Sequence, residues 1–114
     1  MKKINRAITT GTVSLLTYLK TNLANAEKAV GLAPMAGISD WPFRKICYSL
    51  GAVFTVTEMF SADPKFRVTS NNALRLDLKG RLGPKFVQLA GSEPRLLAVA
   101  ALMGVDHGAE VFDM

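Results

Sequence analysis

With a single cysteine, Cys47, and a single histidine, His107, among its 114 residues, the chain lacks the means for several kinds of chemistry. One thiol builds neither a disulfide framework nor a zinc set, which favours a reducing compartment and no metal. Cys47 falls in the apolar stripe of a short helical pattern, Phe43 to Leu50, where a thiol acts as a small hydrophobe. His107 stands beside Gly108 at the end of a helical pattern, a place histidine takes for dipole and capping reasons. Neither phosphate-binding fingerprint, G-x-G-x-x-G nor G-x-x-x-x-G-K-[ST], occurs, so a Rossmann or P-loop nucleotide site is unsupported. No apolar run approaches the roughly 18–20 residues of a membrane span. A faint signal-peptide pattern, Lys2, Lys3 and Arg6 before Ile8 to Leu19, is diluted by Thr9, Thr10, Thr12, Ser14 and Thr17. A cytoplasmic protein without a membrane partner is expected.

What is present describes a folded globular chain, 49% hydrophobic and 20% charged. Its net charge of +5 is concentrated at the front, where Lys2, Lys3, Arg6, Lys20 and Lys28 face only Glu27. Residues 1–30 therefore read as a basic leader, disordered or the remnant of a hairpin. Two roles are open for it, holding an RNA backbone or solvating a terminus. Residues 31–114 are nearly neutral and carry the fold.

From Leu32 onward, apolar strands alternate with helical patterns. Gly31 to Pro34 reads as a first short strand, and Ala52 to Thr57 as a second, β-branched and fully buried. Between them Ser39 or Asp40 caps a helix with Pro42 in its first turn; Phe43, Ile46, Cys47 and Leu50 share one face, and Gly51 ends it. Glu58 to Gly83 is a long polar connection with a short helical piece at Ala73 to Leu76. Lys85 to Leu89 makes a third strand, Pro94 to about His107 a second helix, and Glu110 to Met114 a fourth strand. Crossovers between strands imply a parallel sheet, which suits both a wound α/β sheet and a (β/α)8 barrel.

Three places invite chemistry. Ala33-Pro34-Met35-Ala36-Gly37 follows the first strand, at the end where α/β folds bind ligands. Small residues there let backbone approach a flat ligand, and Met35 packs on an aromatic ring; a plain tight turn is the alternative. Gln88 sits inside an apolar strand, where an unpaired amide costs about 1–3 kcal/mol. It serves a ligand edge or is satisfied in the core. Glu58 ends the second strand, as a site residue or a structural carboxylate.

The segment Leu32-Ala33-Pro34-Met35-Ala36-Gly37-Ile38-Ser39-Asp40, with Pro42-Phe43-Arg44 behind it, resembles the opening signature of the tRNA-dihydrouridine synthases. Thr57-Glu58-Met59, Ser61-Ala62-Asp63, Leu74-Arg75-Leu76-Asp77, Val87-Gln88-Leu89-Ala90-Gly91-Ser92 and Val105 to Glu110 follow in the family's order, closest to its bacterial B-type branch. The resemblance implies the N-terminal part of an FMN-binding (β/α)8 TIM barrel, incomplete at residue 114. It also implies reduction of uridine to 5,6-dihydrouridine in tRNA, with NADPH as reductant. On this pattern Pro34, Met35 and Ala36 line the isoalloxazine ring, and Gln88 bonds its pyrimidine edge.

The sequence departs from that pattern in three respects. The family's Asn-x-Gly-Cys-Pro segment, whose cysteine protonates the uracil, falls past Met114, so no catalytic residue is expected in this chain and the isolated chain is expected to be inactive. Ala24 to Gly31 reads as an insertion. Val99 and Leu102 occupy positions usually charged, and Gly104 weakens the second helix by about 1 kcal/mol. Two alternatives follow: a non-catalytic remnant without flavin, or a fragment of another FMN TIM-barrel oxidoreductase.

Overall fold

The computed structural model describes Lys20 and residues 30–67, 69–78 and 83–114. The leader expected over 1–30 lies outside the described residues apart from Lys20 and Val30. Over residues 30–114 the described elements follow one another as α1 (Trp41–Ser49), β1 (Phe60–Ser61), α2 (Pro64–Arg67), α3 (Ser70–Arg75), β2 (Phe86–Ala90), α4 (Pro94–Asp106) and β3 (Val111–Asp113).

The start of α1 follows from its cap. Asp40 is extended, and its carboxylate accepts from the Phe43 N–H at 3.0 Å, while Pro42 occupies the first turn. The helix stops at Gly51, whose φ of +101° a side chain would strain. The face that α1 buries is not the expected one. Ile46 and Leu50 are 56% and 82% exposed, whereas Arg44 is 7% exposed. Periodicity identifies which residues share a face; what covers that face is a tertiary matter.

The sheet is parallel throughout, in the order β1-β2-β3. Ahead of β1, Leu32 bridges Thr55 and Val56 bridges Phe86, both parallel. The expected first strand is thus reduced to a bridge at Leu32, with Leu32 N–H on the Phe54 carbonyl at 3.0 Å. The second strand differs more. Val56 stands opposite Phe86 and Phe60 opposite Leu89, four steps on one side against three on the other. One extra residue is therefore accommodated across Thr57–Met59, a bulge, and pairing resumes at β1 in what the sequence pattern assigned to a polar connection.

β2 alternates in burial along its length. Val87 and Leu89 are buried, while Phe86, Gln88 and Ala90 are half-buried. Val87 and Leu89 join Phe60, Ala62, Leu76, Leu78, Ala100 and Ala109 in the core, with Leu96, Leu97 and Met103 of α4 packed against it. The fully buried Val, Leu and Phe side chains among them each contribute about 1.5–3 kcal/mol by leaving water, the alanines less. On the opposite face Phe54 and Phe86 stack with centroids 5.0 Å apart.

α4 begins at Pro94 without a side-chain cap bond from Glu93 and ends at His107, whose Nδ1 lies 2.8 Å from the Met103 carbonyl oxygen. Val99 and Leu102 are exposed on it. Gly104 is buried, and a Cβ there would lie 2.6 Å from Phe112 Cε1. It is a contact residue between α4 and β3, more than the weak point its helix propensity suggests. Gly104→Ala, which in an open helix gains about 1 kcal/mol, is therefore expected to lose about 1–3 kcal/mol by overpacking. Urea unfolding measures it, and a stabilised variant would contradict the contact.

Candidate functional site at the strand ends

The turn after Leu32 is held from three directions. Ser39, fully buried, gives its hydroxyl proton to the Met35 carbonyl at 3.1 Å and accepts from the Met35 N–H at 2.8 Å. Its own N–H returns to the Met35 carbonyl at 2.9 Å. Gly37 adopts φ +75°, the left-handed conformation that favours glycine, and donates its N–H to the Glu58 carboxylate. From beneath, Arg44 Nη1 donates to the Ser39 carbonyl at 2.7 Å, with its guanidinium 5.8 Å from the Trp41 ring centroid.

The bulge supplies two of these connections at once. Thr57 is buried, and its hydroxyl accepts from the Gln88 N–H at 3.3 Å. The next residue, Glu58, reaches Gly37. Consecutive side chains thus tie the second strand to β2 on one side and to the turn on the other.

Two cavities flank this turn. One, of about 380 Å³, is apolar with an acidic corner and is lined by Ala33, Pro34, Phe54, Val56, Phe86 and Asp113 among others. The other, of about 550 Å³, lies between the turn, the start of α1 and α3, and includes Trp41, Glu58, Asn71 and Arg75. Among the described residues, no group of three or more His, Cys, Asp or Glu could hold a metal ion, and no helix is long and apolar enough to cross a membrane.

Residues 31–114 match the family model described as dihydrouridine synthase. The chain belongs to the dihydrouridine synthase family. It is similar to tRNA-dihydrouridine synthase B of Xanthomonas campestris pv. campestris, 49% identical over 83 residues, covering 73% of this chain and 25% of the relative. It is also similar to tRNA-dihydrouridine synthase B of Vibrio parahaemolyticus, at 46% over 83 residues (73% and 26%), and of Escherichia coli K12, at 44% over 82 residues (72% and 26%). The chain spans about a quarter of the length of these curated relatives. No solved structure matches it.

Within this dihydrouridine synthase segment, the structure brings some of the sequence-predicted residues together and not others. Pro34 lines the smaller cavity, as does Asp113, the residue Gln88 pairs with through Nε2–H to Oδ2 at 3.1 Å. Met35 is half-buried and Ala36 exposed, both on the turn beside that cavity. Cys47 is half-buried on α1. Sequence reasoning missed the anchoring role of Arg44, because a cation on an amphipathic helix reads as solvent-facing. Its presence in the Pro42-Phe43-Arg44 motif was the available signal. Arg44→Met removes the donor to the Ser39 carbonyl and is expected to cost about 1–3 kcal/mol of stability. The urea midpoint reads it, and an unchanged midpoint would show that the clamp contributes nothing.

Proposed function

We propose that this chain carries the flavin-contacting portion of an FMN-dependent enzyme that reduces uridine to 5,6-dihydrouridine in tRNA, with NADPH as reductant and the cytoplasm as its place of work. The observation that carries the proposal is the pinned turn at residues 34–39, linked to the Gln88 strand through the neighbouring residues Thr57 and Glu58, in a segment that matches the family over residues 31–114. Four parallel segments lie in chain order without reversal, as a (β/α)8 barrel requires.

The residues present fit a flavin. Gln88 gives one N–H to Asp113 and retains a second N–H and a carbonyl, a donor–acceptor pair that suits the alternating carbonyl and N–H groups of a pyrimidine edge. Pro34 with the Phe54–Phe86 stack gives a flat apolar wall. Pro34, Met35 and Ala36 would line the isoalloxazine ring and Gln88 would hold its pyrimidine edge; the bound flavin supplies hydride transfer. The protein's own part is positional. Glu58, Ser39 and Arg44 fix the turn, so contact with a flat ligand needs no ordering of this loop on binding. Thr57 fixes the Gln88 backbone. Asp113 orients the Gln88 amide so that its carbonyl and remaining N–H keep one presentation.

The test is a chimaera in which residues 31–114 replace the matching segment of the Escherichia coli tRNA-dihydrouridine synthase B. It is expected to purify yellow and to form dihydrouridine in tRNA with NADPH. Gln88→Leu in that chimaera should weaken FMN binding by about 1–3 kcal/mol, roughly 5- to 150-fold in Kd. A colourless, inactive chimaera would overturn the proposal. An unchanged flavin Kd would reduce Gln88 to a core amide.

A further inference from the structure

The larger cavity is lined by none of the residues proposed to contact the flavin. It shares Gly37 and Glu58 with the pinned turn. Its charges balance: Asp40 and Glu58 face Arg44 and Arg75. A pocket built for a phosphate would carry an excess of cations, and two carboxylates here oppose any anion. A neutral, polar ligand suits the charge. Its volume of about 550 Å³ is that of a small-molecule site.

The polar groups specify the ligand further. Arg75 lines the cavity, and its guanidinium brings several N–H donors to that wall, to which a ligand carbonyl or ring nitrogen can bond. The Asp40 and Glu58 carboxylates each use one acceptor position, on Phe43 N–H and Gly37 N–H, and retain others for ligand N–H groups. The exposed Asn71 amide offers both functions. Trp41 and Pro42 add an aromatic and an apolar wall. A nucleobase combines these properties: uncharged, flat, with acceptors and N–H donors on one edge.

We propose that this cleft is a base-recognition subsite, taking an unstacked base of the RNA next to the one that is reduced. The proposal rests on the reductase reading above, because the shared turn places the cleft beside the flavin-contacting residues. Arg75 is then a specificity-determining residue for the RNA, separate from the residues that hold the flavin.

The experiment is an NMR titration of the flavin-free, 15N-labelled chain. Trp41 is its single tryptophan, so one indole Nε1–H signal reports on the cleft. Uridine, cytidine, adenosine and guanosine are added separately, with inorganic phosphate as the charged control. At least one nucleoside is expected to shift the signal to saturation, and phosphate is not. Arg75→Gln should weaken that nucleoside by about fivefold or more, the worth of one hydrogen bond. Asn71→Ala, at an exposed position, should weaken it less, and the β2 amide signals confirm that each variant is folded. No saturation by any nucleoside, saturation by phosphate, or Arg75→Gln binding as the parent does would each overturn the subsite. The chimaera separates the two readings: yellow and active beside an unmoved indole signal, it removes the subsite and leaves the reductase. A colourless, inactive chimaera removes the reading on which the subsite rests.

Discussion

The extra residue between Val56 and Phe60 is the constraint from which the rest of the site follows. In a regular strand Thr57 and Glu58 would simply alternate between the two faces of the sheet. The bulge breaks that alternation, and two neighbouring side chains become cross-ties. Thr57 accepts from the backbone of Gln88, and Glu58 accepts from the backbone of Gly37. The β2 strand and the first turn are thereby referred to one short stretch of backbone. Bulges of this kind lie beside functional sites because they re-aim side chains that a regular ladder would fix elsewhere.

The turn then needs little from its own sequence except a glycine. Met35 closes a small loop with Ser39 through three hydrogen bonds, and Arg44 closes it from below. Each bond is worth about 1 kcal/mol net, but the bonds to charged partners are worth about 1.5–3 kcal/mol. Two of the ties to this turn, from Glu58 and Arg44, are of the charged kind. That distribution favours a rigid surface over an adaptable one. Rigidity is what a site for a flat, tightly oriented ligand requires.

The sequence made some of this legible. The start of α1 was readable because Asp40 and Pro42 are local signals whose chemistry acts within one turn. The extents of β2, α4 and β3 followed from uninterrupted runs bounded by proline and glycine. The second strand was not readable past Thr57, because a bulge resets the alternation on which strand recognition depends. Phe60 therefore looked like loop, although it is 1% exposed in the core. Gly104 looked like a helix defect because propensity is local, while its reason is the ring of Phe112 from another element. Arg44 shows the same limit from the polar side. At the site, the ordered motifs around Pro34 and Gln88 pointed to the strand ends, while the groups that hold the turn became visible only in three dimensions.

Glu58, placed by the bulge, fixes the turn at Gly37. Amide hydrogen exchange at Gly37 in the parent chain and in Glu58→Ala tests it most directly, with the β2 amides as the internal reference. Losing an exposed bond to a charged acceptor, about 1 kcal/mol after solvent screening, predicts that Gly37 protection falls by roughly fivefold while β2 is unchanged. Equal protection of Gly37 in the two proteins would contradict the account.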